Sequence, residues 1–253
     1  MPSPQSGREP ILAGRGLSKY YGPVTALDGV SIDIYPGEIL AIVGDNGAGK
    51  STLVKALSGA IVPDSGEILM EGKPIRLDSP QKARQHGIET VYQDLALAPN
   101  RDVVQNLYLG REMCHGGLLK PFHFLRSREM RRVAEQHLKQ LEVGVPHVSG
   151  LPIGQMSGGQ RQCVAVARVA FWSSKVMFMD EPTAALGVRE SEAVLRLIRR
   201  VAHAGTAVVL ISHAIPHVVA LADRIVVLRN GRKAADLAGS TTVEGVVNLI
   251  VGS

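Results

Sequence analysis

The run Gly44-Asp45-Asn46-Gly47-Ala48-Gly49-Lys50-Ser51 has the residue types and the spacing to hold a phosphate. It follows a nearly continuous apolar stretch, Glu38–Val43, and opens a helical pattern over 52–58 that Gly59 ends. That is the setting in which G-x-x-x-x-G-K-[ST] works. The glycines let the backbone curl until successive N–H groups converge on phosphate oxygens. The helix that follows adds about half a positive charge at its N-terminus. Lys50 supplies a full charge to the outer phosphates, and the Ser51 hydroxyl suits Mg²⁺. Downstream, Val176-Met177-Phe178-Met179 is an apolar strand ending in two carboxylates, Asp180 and Glu181. Ligands of open α/β sheets sit at the carboxyl ends of the strands. There Asp180 is placed to hold Mg²⁺ through its water shell, and Glu181 to orient or deprotonate an attacking water.

A second glycine pair lies in Gln155-Met156-Ser157-Gly158-Gly159-Gln160, again at the mouth of a helical pattern. Two uses fit it. Ser157 can cap the helix, or its hydroxyl and the two glycines can let the helix N-terminus approach an anion.

The elements that must position these residues follow from periodicity. Residues 30–34 alternate as a half-buried strand should, and Pro36-Gly37 marks a turn. Residues 38–43 read as a parallel strand covered on both faces. Short strands are expected at 67–70 and 88–92, and helices and loops from about 97 to 156. Helices at 158–171, 188–203 and 215–221 then alternate with strands at 175–179, 206–212 and 224–229. Asn230-Gly231 reads as a hairpin turn. The pattern describes an α/β core with a helical insertion and an antiparallel portion near the N-terminus. Residues 1–10 read as a frayed tail, and 11–250 as a single domain.

With 253 residues, 45% of them apolar, the composition is that of a globular protein. No apolar run approaches the ~20 residues of a membrane span, and the N-terminus has no apolar stretch of signal-peptide type. Cys114 and Cys163 form no disulfide framework or metal-ligand spacing, which points to a reducing compartment. Cys163 reads as a small packed hydrophobe among valines and alanines. The net charge of +5 raises the question of nucleic acid. Its densest cluster, Arg126, Arg128, Arg131 and Arg132, reads instead as the solvated face of an amphipathic helix whose apolar side carries Met130, Val133 and Leu138.

Taken together, GDNGAGKS, VMFMDE and MSGGQ make the chain resemble the nucleotide-binding subunits of ABC transporters, from about residue 11 to 250. The first is similar to their Walker A motif and the second to their Walker B. The third is close to their LSGGQ signature, with Met156 replacing leucine. The resemblance implies a P-loop ABC-type ATPase core, with an N-terminal antiparallel β subdomain and a helical subdomain at about 97–156. It implies ATP and Mg²⁺ as cofactors, with Asp45, Asn46, Ala48 and Thr52 completing the nucleotide loop around Gly44, Gly47, Gly49, Lys50 and Ser51. Ser157, Gly158, Gly159 and Gln160 are then expected to meet an ATP held by another copy, so that two ATPs are sandwiched in a head-to-tail pair. Gln93 matches the glutamine that contacts Mg²⁺ and the attacking water, and His213 the switch histidine that contacts the γ-phosphate. Tyr21 or its neighbour Tyr20 matches the aromatic that stacks on adenine. Adjacent strand residues face opposite ways, so one of the two does so, and alignment favours Tyr21.

Catalytic roles therefore fall to Glu181, His213 and Gln93, and metal contacts to Ser51, Gln93 and Asp180. After Pro182-Thr183 the family commonly has Ser-Ala-Leu-Asp, whereas this chain has Ala184-Ala185-Leu186-Gly187. That form resembles the simple-sugar importer branch. The implied partners are a like cassette, transmembrane permease subunits and, indirectly, an extracytoplasmic sugar-binding protein, with no nucleic acid. The implied place is the cytoplasmic face of the membrane. An exporter or lipid-transporter ATPase, or a soluble ABC ATPase acting on nucleic acid or ribosomes, is the alternative.

Overall fold

The computed structural model describes residues 8–91, 95–115, 125–144, 148–184, 186–238 and 241–252. Along the chain come β1 (Leu12–Tyr21), β2 (Val24–Ile34), β3 (Ile39–Gly44), α1 (Lys50–Leu57), β4 (Ser65–Met70), β5 (Lys73–Ile75), α2 (Pro80–Gln85) and β6 (Ile88–Val91). There follow α3 (Val103–Leu107), α4 (Ser127–Gln140), a short 3-10 turn (Ile153–Gln155) and α5 (Gly158–Trp172). The rest alternates: β7 (Val176–Asp180), α6 (Val188–His203), β8 (Ala207–Ile211), α7 (Ile215–Leu221), β9 (Arg224–Arg229), β10 (Arg232–Ala238) and α8 (Val243–Val251). The chain divides into two compact units. One comprises Met1–Gln93, Ser173–Ala184 and Val201–Ser253, the other Asp94–Trp172 and Ala185–Arg200.

The first unit holds both sheets. Its six-stranded sheet runs β10-β9-β3-β8-β7-β6. β3 lies parallel between β8 and β9, and β7 parallel between β8 and β6. Every residue of β3 and β8 is buried, which is why these strands read as unbroken apolar runs rather than alternating ones. β10 returns antiparallel on β9, with Arg229 opposite Arg232. Asn230 and Gly231 take φ of 48° and 73°, as a two-residue hairpin turn requires. The smaller sheet is antiparallel, in the order β2-β1-β4-β5. Leu12, Leu17, Ile32 and Ile34 of that sheet share one core with Leu53 and Leu57 of α1 and with Phe178, Val209 and Val226 of the large sheet.

Arg224 is buried at the edge of this core. It bonds Glu38 at 2.6 Å and Asp236 at 3.2 Å, and also donates to the Asp33 carbonyl. A buried cation holds only with such partners. Burial pushes the Glu38 carboxyl up, against the opposing pull of Arg224.

The second unit is helical. Tyr108 is buried, with Phe171 and Trp172 meeting it edge-on at 5.2 and 5.7 Å. The Trp172 indole N–H donates to the Leu107 carbonyl at 2.7 Å. Asn106, fully buried, donates to the carbonyls of Ala98, Arg101 and Asp102 and accepts from the Ala98 N–H. α4 buries Met130, Ala134 and Leu138 and leaves Arg128, Arg131 and Arg132 exposed, so the arginine cluster is an outward helix face.

Several elements differ from the sequence reading at their ends. β2 begins at Val24 rather than at residue 30, and α1 begins at Lys50, two residues early. The strand expected at 88–92 is described to Val91. Cys163 is half-buried rather than fully packed away. Among the described residues no helix is long and apolar enough to cross a membrane.

Candidate functional site

β3 delivers the phosphate loop. Its last residue, Gly44, has φ of 151°, and Gly47 and Gly49 have φ of 78° and 100°, conformations that favour glycine. A Cβ on Gly44 would strike the Leu228 carbonyl, and one on Gly49 the Ala26 carbonyl. Both obstacles are backbone, so the loop has no room to give. No side chain caps α1, and its first turn carries no acid, so its N-terminal N–H groups are open. Lys50 is buried, with Nζ donating to the carbonyls of Gly44 and Asp45, both at 2.9 Å. Burial pulls its amine down, with Glu181, Asp45 and Asp180 opposing the shift.

β7 delivers the carboxylates. Its partner β8 ends beside it, Asp180 opposite Ile211. Glu181, the next residue, takes φ of 52°, and its N–H donates to the Ile211 carbonyl at 3.0 Å. A non-glycine residue in that region is strained by about 1–3 kcal/mol. The bend points the side chain at His213, whose N–H and Nε2 each lie 3.5 Å from the carboxylate. Glu181 Oε1, the oxygen that faces His213 Nε2, is buried and makes no hydrogen bond. Burial pushes the Glu181 carboxyl up, and His213 is the main group pulling it back. Burial likewise raises Asp180, opposed by Lys55, Lys50 and His213.

These side chains wall a cleft of about 450 Å³ with Tyr21, Val24, Thr25, Ala26, Asn46 to Thr52 and Ile211. The structure thus brings together Tyr21, Asn46, Gly47, Ala48, Gly49, Lys50, Ser51, Thr52, Asp180, Glu181 and His213. Tyr20 is not a wall of it; its N–H donates instead to Asp64 at 2.7 Å. Gly44 and Asp45 are not among the wall residues: the first ends a buried strand, and the second, exposed, accepts the Asn46 N–H at 2.8 Å. Val24, Thr25 and Ala26 were missed by the sequence reading. The β1–β2 hairpin brings Val24 opposite Tyr21, leaving it 61% exposed on the cleft. An exposed valine just after Gly22-Pro23 was the available signal. Gln93 and Ala185 lie outside the described residues.

The second glycine pair belongs to the helical unit. The Ser157 N–H donates to Gln160 Oε1 at 2.9 Å, and the Gln160 N–H to Ser157 Oγ at 3.3 Å. This is a reciprocal helix cap. The cap leaves Ser157 and Gly158 exposed at the opening of α5. Ser157, Gly159 and Gln160 line a separate cavity of about 370 Å³ with Cys163, Arg189, Glu190 and Arg196.

A parallel sheet feeding a glycine loop into a helix, with carboxylates at a neighbouring strand end, defines a P-loop NTPase core. The ABC transporter family model matches residues 27–184. A fructose import ATP-binding protein of Rhizobium meliloti is 54% identical over 89% of this chain and 87% of its own length. A xylose/arabinose import ATP-binding protein of Sulfolobus acidocaldarius is 44% identical over 88% of the chain and 86% of its own length. A ribose import ATP-binding protein of Escherichia coli O157:H7 is 39% identical over 96% of the chain, which spans only 47% of that protein. A nucleotide-free ATP-binding cassette from an ABC transporter superposes with a TM-score of 0.81 at 27% identity, over 94% of this chain and 95% of that one. The chain belongs to the ABC transporter family, as one of its nucleotide-binding ATPases.

Proposed function

We infer that this chain powers the import of a simple sugar through a separate membrane permease, on the cytoplasmic face of the membrane. The sugar reading is supported by the relatives, which are import proteins for fructose, xylose or arabinose, and ribose. The hydrolytic reading is carried by one observation: Glu181 presents a buried carboxylate oxygen that makes no hydrogen bond and lies 3.5 Å from His213 Nε2, in the cleft that also holds Lys50. Such an atom lacks an acceptor's ordinary partner, and the proton of an attacking water would provide it.

In this reading the loop amides of residues 44–52 and Lys50 hold the β- and γ-phosphates, and the Tyr21 ring stacks on the base beside Val24. Glu181 orients or deprotonates the water, and His213 faces the γ-phosphate. Ser51 and Asp180, with Gln93, present hard oxygen donors of the kind Mg²⁺ takes. A bound Mg²⁺ would supply neutralisation of charge on the β- and γ-oxygens. Lys50 leaves the carbonyls of Gly44 and Asp45 to reach the phosphates. Ser157 and the glycines after it meet the nucleotide of a second copy, so two chains share two ATPs, and closing and reopening that pair works the permease docked against the helical unit near 93–110.

Reconstitution tests this. The chain is co-purified with its permease, returned to vesicles, and assayed for ATP hydrolysis with simple sugars and the matching binding protein. Stimulation by one sugar is expected. Hydrolysis indifferent to every sugar, with no membrane protein co-purifying, would reject the import reading.

A further inference from the structure

Loop position 187, where the family commonly carries aspartate, is glycine here. α6 begins one residue later, and the Gly187 carbonyl accepts the Ser191 N–H at 2.9 Å. Glu190, in the first turn of α6, folds back over this glycine. A Cβ built on Gly187 would stand 2.6 Å from Glu190 Oε2. The stem of the same side chain lies on the other glycine element, where a Cβ on Gly159 would stand 2.6 Å from Glu190 Cβ. Neither position has room for a side chain while Glu190 keeps this placement. Gly158 differs, since a Cβ there would meet only Leu186 Cδ2, at an ordinary 3.8 Å.

One side chain therefore spans two backbones. Its carboxylate fills the space that a side chain at 187 would enter, and its methylene stem backs the signature glycine. The reciprocal Ser157–Gln160 bonds close the end of α5 upon itself but do not fix where that end points relative to residues 186–188. Glu190 does. We propose that Glu190 is a positioning residue of the signature element: it takes from α6 the place of the missing loop side chain and holds the 186–188 loop and the α5 N-terminus in one register. The proposal rests on the reading above, in which Ser157 to Gly159 meet a partner's ATP. Its physical basis is the steep cost of small misplacements in a composite site, where about 1 Å can lose up to 10²-fold in rate.

The test uses the full chain. Pair formation in saturating Mg-ATP is followed by sedimentation in the Glu181→Gln background, and turnover is measured with the permease complex. Glu190→Ala should weaken pairing and turnover by about tenfold or more, while nucleotide affinity of the unpaired chain stays as in the parent. Glu190→Gln keeps the stem and the planar head and should stay close to the parent in both. Gly187→Asp should impair pairing, because it crowds two carboxylates together. The double variant Gly187→Asp/Glu190→Ala should recover most of the loss. The proposal is overturned if Glu190→Ala pairs and turns over as the parent does, or if the two single losses simply multiply in the double variant. It is equally overturned if Glu190→Ala lowers only the melting temperature, as a plain helix-capping role would. Failure of Glu181→Gln itself to pair would sink the shared-site reading, and this proposal with it; pairing by that parent together with an indifferent Glu190→Ala sinks the proposal alone.

Discussion

The two glycine elements of this chain are built in opposite ways. Around the phosphate loop the obstacles to a side chain are backbone carbonyls of Leu228 and Ala26, held by sheet and hairpin. Around the signature glycine the obstacle is a flexible side chain, Glu190, on an exposed helix turn. The first is fixed by the core on which it sits, with Gly44, Ala48 and Lys50 buried and Asp45, Asn46 and Gly47 exposed. The second is a surface helix end, whose aim one side chain can change. A nucleotide cleft gains from the first arrangement, because preorganised dipoles need no rearrangement when charge develops. An element proposed to meet another molecule would gain from the second.

The sharpest way to break the comparison is at Glu181. Glu181→Gln keeps the cleft's shape and removes the proposed base, so turnover in the permease complex should fall by about 10²-fold or more while nucleotide binding persists. A rate near that of the parent would show that the buried oxygen does no chemistry.

Gly44→Ala and Gly158→Ala set the two regions against each other directly. Gly44→Ala meets immovable backbone and should destabilise the fold by about 3 kcal/mol, read as a lowered midpoint in urea. Gly158→Ala has space and should melt as the parent does, its damage appearing in ATP-dependent pairing. Equal melting of the two variants would erase the distinction.

Tyr21→Ala should weaken nucleotide binding to the unpaired chain by about 1–3 kcal/mol, with Tyr21→Phe restoring most of it. Equal affinity in all three forms would move the base platform elsewhere on the cleft wall.

The smallest effect belongs to the helical unit's core. His137 meets Phe171 edge-on at 4.8 Å, and its Nε2 is buried without a partner. Burial holds its pKa below the usual histidine value. The folded state thus binds this proton less readily than the unfolded one. The associated stability is fully present above the unfolded pKa of about 6.5 and is lost as pH falls through that value toward the folded one. His137→Leu should flatten this part of the stability–pH curve below about pH 6.5. An unchanged slope would assign the acid sensitivity to other groups.

Much of the first region was legible in the sequence and less of the second. β3, β8 and β9 declare themselves as apolar runs because both faces of the large sheet are covered. β1 does not, since Gly14 and Gly16 and the register shifts after Gly14 and Leu17 break its alternation. β10 is a polar edge and resembles a loop. Glu190 sits on a charged helix face that reads as solvated, so nothing in its spacing marks it as packed on Gly159. Whether MSGGQ caps a helix or faces an anion was open in the sequence. The structure shows the cap and leaves Ser157 and Gly158 exposed beside it.

By itself the sequence determined the local chemistry: a loop that curls, a lysine at its end, two carboxylates at the end of an apolar strand, and a helix opened by serine and glycines. These follow from dihedral freedom and short-range periodicity, which act over a few residues. Only the tertiary structure decided that an oxygen of Glu181 is buried without a hydrogen bond facing His213, that Val24 joins Tyr21 on the cleft, and that Glu190 lies across two glycines. The contacts of Glu181 with His213 and of Glu190 with Gly159 join segments about 30 residues apart, where burial is set by which backbones meet, and no local pattern encodes that meeting.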